Sequence, residues 1–282
     1  MNKNPFFYPS KSTFGKDSPD AAPAQPSLNS PPFREEQEQF IAYPEAGEPH
    51  QTIPGLTSII IPAYFATYPL FHQTGNCIGS VREHTDKEKT PYEIILIEQG
   101  GGVESFVGRE KDSLVDKFIK NEENVGYTKA VNQGVRTAFG EYICFLNNDT
   151  QVYDHWLEDM QEALKTIDLV MATPMYGKPY ARAVEASELR NNPKAGLSDF
   201  KDFSCVLTTK KVFDQVGLFD EQFYMYSSDL DFLRRMEKEG LKYASTQKVN
   251  IHHIIGSTSS GVSDTPEIMD RDKEKLNEKW GY

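Results

Sequence analysis

Three short stretches of this sequence carry groups that could do chemistry. The first is Asn147-Asn148-Asp149-Thr150, which follows directly on the apolar run Tyr142-Ile143-Cys144-Phe145-Leu146. A short apolar run ending in oxygen-bearing side chains is the pattern of a buried strand with polar groups at its carboxyl end. In open α/β sheets, small molecules bind just outside those ends. Asp149 offers a hard carboxylate suited to Mg²⁺ or Mn²⁺, and Asn147 and Asn148 add amide and carbonyl groups. The same residues are good turn formers, because their side chains hydrogen-bond their own backbone. Taken alone, the stretch supports both readings. The second is Ser228-Asp229-Leu230-Asp231. Ser228 can cap a helix starting at Asp229, with Asp231 completing a capping box. Asp229 also follows a long aromatic stretch, and a carboxylate facing a cleft there can act as a general base. The third is His252-His253, inside an apolar strand-like run. Period-two geometry sends the two rings to opposite sides, so one can reach a cleft while the other is packed or exposed.

These groups need a scaffold, and its elements are readable. Residues 57–61 form a buried strand that Pro62 stops; a helix covers 68–83. A second strand over 92–97 ends at Glu98, followed by Gln99-Gly100-Gly101-Gly102. Gly100, Gly102 and Ser105 almost fit a dinucleotide fingerprint. However, the third glycine is missing, and the segment follows the second strand of the domain rather than the first, which argues against a nicotinamide or flavin enzyme. Asn124-Val125-Gly126 form a loop before a helix over 128–138, whose first N–H groups are available to an anion. Ala130, Gly134 and Ala138 leave one face of that helix nearly bare, suited to close packing on a sheet. An amphipathic helix over 154–165 is followed by a strand over 168–173. Residues 174–202 read as a long loop of the kind that builds binding sites. A strand over 203–208, a short helix over 210–216 and a charged closing helix over 266–280 complete the domain. Strands alternating with helices predict an α/β fold with a largely parallel sheet covered on both faces.

The chain has 282 residues, 38% of them hydrophobic, enough for one large core or two smaller ones. Its net charge of −12 argues against a nucleic-acid or anionic-membrane binder, whose partners demand clustered Lys and Arg. Cys77, Cys144 and Cys205 lie far apart without zinc spacing, so a reducing compartment is the default. No leader-like apolar core and no run of roughly 20 apolar residues is present, which predicts a soluble, cytoplasmic protein, with peripheral association at the inner face of a membrane left open. Residues 1–55 hold ten of the seventeen prolines and read as an extended arm. Its aromatic residues make it a candidate for packing on the domain or on a second subunit.

In order, the pieces resemble the inverting family 2 glycosyltransferases of the GT-A fold, particularly bacterial rhamnosyltransferase-like members. The matching residues are Ser58-Ile59-Ile60-Ile61-Pro62; Glu93 through Glu98 with the glycines after it; Asn124-Val125-Gly126 with Asn132-Gln133-Gly134; Gly140-Glu141-Tyr142 through Asp149; Val216 through Glu221; Ser228 through Asp231 with Arg235; and His253 with Gly256. The resemblance covers about residues 56–260. It implies a Rossmann-like mixed, mostly parallel sheet flanked by helices, with a nucleotide-sugar half over 56–150 and an acceptor half over 151–282. It implies that Pro62, with the adjoining Ala63 and Tyr64, borders the nucleotide, and that Glu98 stands where the family usually has an Asp contacting the base. By the same resemblance, Asn124, Gly126, Asn147 and Asn148 are expected to belong to the donor site. Asn147-Asn148-Asp149 resembles the family's D-x-D, with Asp149 the ligand of Mn²⁺ or Mg²⁺ and His253 a second ligand. Asp229 matches the carboxylate that deprotonates the acceptor. The implied donor is a UDP-, dTDP- or GDP-sugar, and the acceptor a glycan, lipid-linked or protein hydroxyl.

Three departures stand out. Glu98 replaces an Asp, Asn147 replaces the first Asp of D-x-D, and Ser228 replaces the Glu that commonly precedes the base. A neighbouring Glu would raise the base's pKa by like-charge repulsion; without it Asp229 is expected to be a weaker base. This keeps open a non-catalytic glycan- or nucleotide-binding module on a decayed transferase fold. A sugar nucleotidyltransferase is disfavoured, because Pro62-Ala63-Tyr64-Phe65 stands where such enzymes carry a Gly-rich, Arg-containing loop.

Overall fold

The computed structural model describes residues 52–100, 114–166, 169, 171–174, 197–198, 203–246, 249, 251–254 and 265–281. The arm up to residue 51, Gly102, Ser105 and the loop over 174–202, except residues 174, 197 and 198, lie outside them. In chain order the elements are β1 (Ile53–Ala63), α1 (Tyr68–His84), β2 (Tyr92–Gln99), β3 (Lys117–Asn121), α2 (Tyr127–Thr137), β4 (Gly140–Leu146), β5 (Thr150–Val152) and α3 (Trp156–Thr166). There follow β6 (Met171–Pro174), β7 (Leu197–Ser198), β8 (Cys205–Thr209), α4 (Lys211–Val216), α5 (Ser228–Lys238), β9 (Tyr243–Thr246), β10 (Ile251–His253) and α6 (Thr265–Trp280).

Strands β1 to β4 and β6 to β9 make one sheet in the order β3-β2-β1-β4-β8-β6-β9-β7, and β10 pairs with β5 in a separate ribbon. The β3-β2-β1-β4 half is wholly parallel. Strand β8 runs antiparallel between β4 and β6, so the sheet is mixed. From β1 the chain builds outward through β2 to β3, then returns to place β4 on the other side of β1. That reversal is a topological switch point, and it opens a crevice at the carboxyl ends of β1 and β4.

The unbroken apolar run of β1 follows from burial on both faces. Ile59 and Ile61 join Leu96, Cys144, Ile78 and Trp156 in the core under α1 and α3. Ile60 points the other way, to Ile95, Phe145, Val131 and Phe232 under α2 and α5. The bare face of α2 is used as expected: Ala130 and Ala138 are fully buried, and a Cβ on Gly134 would strike the Ile60 side chain.

Several expectations are corrected. Pro62 does not stop β1, which runs on to Ala63 and pairs Pro62 with Ile97. The β1–β4 register ends at Ile60–Phe145, so Pro62, which has no N–H to donate, sits beyond it. Helix α3 starts at Trp156 rather than at 154, because His155 takes a left-handed φ of 65°. Strands β3 and β9 had no sequence signal of their own. Lys117-Phe118-Ile119-Lys120-Asn121 is a short, charged edge strand, a composition that blunts edge-to-edge pairing.

Candidate active site

The carboxyl end of β4 folds into a tight turn. Thr150 N–H donates to Asn147 O at 3.1 Å, and Asn147 N–H donates to Ser204 O at 2.7 Å. The turn leaves Asp149 only 5% exposed. It also starts β5 at once, and β5 recruits β10 antiparallel, with His253 opposite Thr150. Ile254 N–H closes the ribbon onto Asp149 O at 3.0 Å. Consequently His253 Nε2 lies 3.2 Å from Asp149 Oδ1, while His252 is exposed on the opposite side. The alternation expected for the two histidines is therefore observed, and the residue that turns inward is His253.

A carboxylate oxygen and an imidazole nitrogen converging in a buried corner suit a divalent cation such as Mn²⁺ or Mg²⁺. Among the described residues no third His, Cys, Asp or Glu joins them in a metal-holding cluster. Asn148 turns away from this corner: its amide donates to Thr74 Oγ1 on α1 at 2.9 Å and fixes the turn from behind. The Cys77 thiol donates to Asn147 O at 3.5 Å, and burial, then the Asp149 charge, pushes its pKa far above the ordinary thiol range.

Beside this corner lie the ends of β1 and β2. Their parallel register puts Ala63 next to Glu98 and Pro62 next to Ile97. Glu98 is 3% exposed. Phe65 N–H donates to Gly100 O at 3.3 Å and joins the two loops that leave these strands. Tyr64 is half-buried between them.

The loop before α2 is held by its own polar groups. Asn124 Oδ1 accepts Gly126 N–H at 2.9 Å, a local turn that occupies the side chain. Tyr224 then packs over the loop. Its hydroxyl donates to Asn124 O at 2.8 Å, and burial, helped by neighbouring Tyr64, raises the phenol's pKa, which keeps it a donor. Its carbonyl accepts Thr128 N–H at 3.3 Å. The expectation of a start of α2 open to an anion is thus corrected in part: Thr128 N–H is already taken. Gly126 has φ +88°, and a Cβ there would collide with the Tyr224 carbonyl and ring, so only glycine meets both demands. Asn132 is also structural: it donates to Phe219 O and accepts Phe219 N–H, tying α2 to the turn before α5.

Asp229 stands half-buried in the first turn of α5, and its Oδ1 accepts Leu230 N–H at 2.8 Å. The expected capping box does not form. Ser227, not Ser228, is the N-cap, in a left-handed conformation with no side-chain cap, and Asp231 faces inward. Asp231 is fully buried, where Arg235 Nε at 2.9 Å, Lys279 Nζ at 2.7 Å and Trp280 Nε1 at 3.0 Å surround it. A buried carboxylate prefers these charged partners to a local cap. Upstream, Asp272 Oδ2 on α6 accepts the N–H groups of Tyr224, Met225 and Tyr226 at 3.0, 2.9 and 3.0 Å. A cleft of about 350 Å³ lies here, lined by Asn124, Lys129, Tyr224, Arg271 and Lys275 among others. Sequence reasoning missed Tyr224, Asp272 and Thr74. Tyr224 sits in an aromatic run and Asp272 in a charged helix, so neither stands out from its surroundings.

The structure thus brings together Asp149 with His253, Ala63 with Glu98, and Asn124 with Gly126. It links the last pair to the Asp229 segment through Tyr224. A mixed sheet with a switch-point crevice and acidic groups at its rim is an α/β architecture that binds small molecules outside the carboxyl ends of its strands. Residues 58–217 match the model of the family described as Glycosyl transferase family 2. The chain belongs to that family. A curated relative, the O-antigen biosynthesis protein RfbC of Myxococcus xanthus, is 26% identical, over 46% of this chain and 12% of its own length. Two solved structures share the fold at 15% identity. GalNAc-T7, solved with UDP, GalNAc and Mn²⁺, has a TM-score of 0.58 and covers 70% of this chain and 43% of its own. S. aureus TarS has a TM-score of 0.50 and covers 67% of this chain and 34% of its own. The fold is therefore that of the GT-A glycosyltransferases. The chain spans less than half the length of each of these proteins. Among the described residues no helix is long and apolar enough to cross a membrane.

Proposed function

We propose that this chain moves a hexosyl or deoxyhexosyl group from a nucleoside-diphosphate sugar to a hydroxyl acceptor, by direct displacement with inversion. The observation that carries this reading is the buried Asp149–His253 pair, 3.2 Å apart at the carboxyl end of β4. A Mn²⁺ or Mg²⁺ ion held by those two side chains would offset the charge that gathers on a departing diphosphate. Pro62, Ala63, Tyr64 and Glu98 border the nucleotide from the ends of β1 and β2. Asn147 lines the same rim, while Asn124, Gly126 and Asn148 shape it by holding loop and turn in place. On the acceptor side, an Asp229 carboxylate oxygen takes the hydroxyl proton. The acceptor oxygen attacks the anomeric carbon as the bond from that carbon to the diphosphate oxygen breaks. No covalent enzyme intermediate is required.

The donor is a UDP-, dTDP- or GDP-sugar; GalNAc-T7, which shares the fold, was solved with UDP and Mn²⁺. The acceptor is a glycan, lipid-linked or protein hydroxyl in polysaccharide synthesis, in keeping with the O-antigen role of the curated relative. In this reading residues 56–150 serve the donor and 151–282 the acceptor. The arm, read over 1–55 but giving way to β1 at Ile53, is a candidate dimerisation element, and the protein works in the cytoplasm, at or near the inner face of a membrane.

Calorimetry with UDP, dTDP and GDP, each with and without Mn²⁺, tests the donor side. Metal-dependent, base-selective binding that Asp149→Ala abolishes is expected; no binding to any nucleotide would overturn the assignment. On the acceptor side, Asp229→Ala should lower transfer by roughly 100- to 10,000-fold, to a measurable residual rate, and leave nucleotide binding intact. A second reading, a binding module without turnover, is favoured by Ser228, which places no second carboxylate beside Asp229. Metal-dependent donor binding with neither hydrolysis nor transfer across a broad acceptor panel would select it.

A further inference from the structure

Helix α6 lies beyond residues 58–217, the segment that matches the family, yet it grips the Asp229 segment on both sides. Upstream, the Asp272 carboxylate receives three consecutive backbone N–H groups, from Tyr224, Met225 and Tyr226. Successive N–H groups that converge on one point make an anion nest, filled here by the protein's own side chain. Asp272 is fully buried; the three amides meet its Oδ2 in charge-assisted bonds, and Arg271 Nε lies 3.9 Å from its Oδ1. Only Ser227, in a left-handed turn with φ 63°, and buried Ser228 separate the nest from Asp229. Downstream, Asp231 is held by Lys279 and Trp280 of the same helix. Asp229 therefore sits between two anchors that both lead to α6, and the backbone between them has little freedom.

We infer that Asp272 is a positioning residue: with α6 as template, it sets the place of the Asp229 carboxylate against the acceptor. The inference rests on the reading of Asp229 as the acceptor's base. The nest also draws in Tyr224, whose hydroxyl and carbonyl hold the loop before α2. Asp272 thus fixes the acceptor-side carboxylate relative to the donor-side loop. A misplacement of about 1 Å can cost a reaction roughly 100-fold in rate.

The test compares the full-length wild type with Asp272→Asn, Asp229→Ala and the double variant, reading steady-state transfer, calorimetric nucleotide affinity in Mn²⁺, and amide hydrogen exchange. Asp272→Asn should lower kcat about 10- to 100-fold. Donor KM and nucleotide affinity should stay within about twofold, while the amides of Tyr224 to Tyr226 exchange faster. In the Asp229→Ala background the second substitution should lower kcat no further, because Asp272 acts only through Asp229. A merely structural role would instead multiply the two losses and overturn the inference. Wild-type kcat in Asp272→Asn, or unchanged exchange at residues 224–226, would also overturn it. Faster exchange together with no transfer by the wild type would remove the premise about Asp229 and overturn it by a different route, with the nest itself intact. If Asp272→Asn does not fold, Trp280→Phe removes one donor to Asp231 and keeps an aromatic ring in its place. It should lower kcat a few-fold with the same absence of further loss in the Asp229→Ala background, and multiplied losses there would again refute the inference.

Discussion

His253 Nε2 lies 3.2 Å from Asp149 Oδ1, although the two residues are 104 positions apart in the sequence. The meeting depends on a ribbon of three residues from each strand, β5 and β10, that forms as soon as the chain turns out of β4. Asp149 supplies a backbone acceptor to the ribbon and turns its carboxylate to His253, so one residue holds both the ribbon and the corner.

Replacing either member of this pair should therefore act on metal-dependent binding. Asp149→Ala and His253→Ala should each lower Mn²⁺-supported turnover by about 100-fold or more. Circular dichroism should stay native, because both side chains sit at the rim and not among the apolar core residues. Titration of nucleotide binding against Mn²⁺ concentration separates lost metal affinity from lost folding.

Gly126 answers to two constraints at once, a φ of +88° and contact with Tyr224. Gly126→Ala should destabilise the protein by about 1–3 kcal/mol from backbone strain alone. It should also displace Tyr224 from Asn124, which a rise in tyrosine solvent accessibility would report. Gly134→Val probes the packing of α2 on β1, where a side chain would meet Ile60, and should cost about 1–3 kcal/mol. Urea denaturation measures both.

Glu93 and Lys117 form a buried ion pair at 2.7 Å, with Ser58 hydroxyl and Phe139 N–H also donating to Glu93. The pair ties edge strand β3 to β2 and to the start of β4. Lys117→Met would leave a buried carboxylate without its cation and should cost about 3–5 kcal/mol. The double variant Glu93→Gln with Lys117→Met should recover part of that loss, because it removes the uncompensated charge. A double-mutant cycle in urea gives the coupling directly.

All three cysteines are free and buried. Burial raises the Cys77 pKa above its ordinary value of 9.0, so the native state holds the neutral thiol. Aromatic disulfide reagents should modify no thiol in the native protein and three after unfolding. The sign of the pH effect follows from the same shift. The native state keeps the Cys77 proton more tightly than the unfolded state does. Its contribution is therefore complete below about pH 9 and is lost as pH rises above that value. The urea midpoint should fall from pH 9 upward, and Cys77→Ala should flatten that fall.

Much of the sheet was legible in the sequence because its central strands are buried on both faces. Ile59-Ile60-Ile61, the run from Tyr92 to Ile97 and the run from Tyr142 to Leu146 leave no other way to hide so much contiguous apolar surface. The bare face of α2 and the outward and inward histidines of β10 were readable for a related reason: side-chain period translates directly into direction. Asp149, Glu98 and Asp229 could be picked out because each closes or opens a periodic segment. The family pattern then assigned them roles that periodicity alone left open. Strands β3 and β9 were not legible, since short edge or flanking strands carry mixed polarity and form because a neighbour supplies hydrogen bonds. The capping box at Ser228 failed because Asp231 had better partners from α6, which no local rule contains. The same holds for Asp272 and Tyr224. By itself, the sequence determined which segments must be buried and which carboxylates stand at their ends, because both follow from local composition and period. Only the tertiary structure decided which distant groups meet: His253 with Asp149, Tyr224 with Gly126, and Asp272 with the amides before Asp229. Those pairings depend on long-range packing, and packing is set by the whole chain at once.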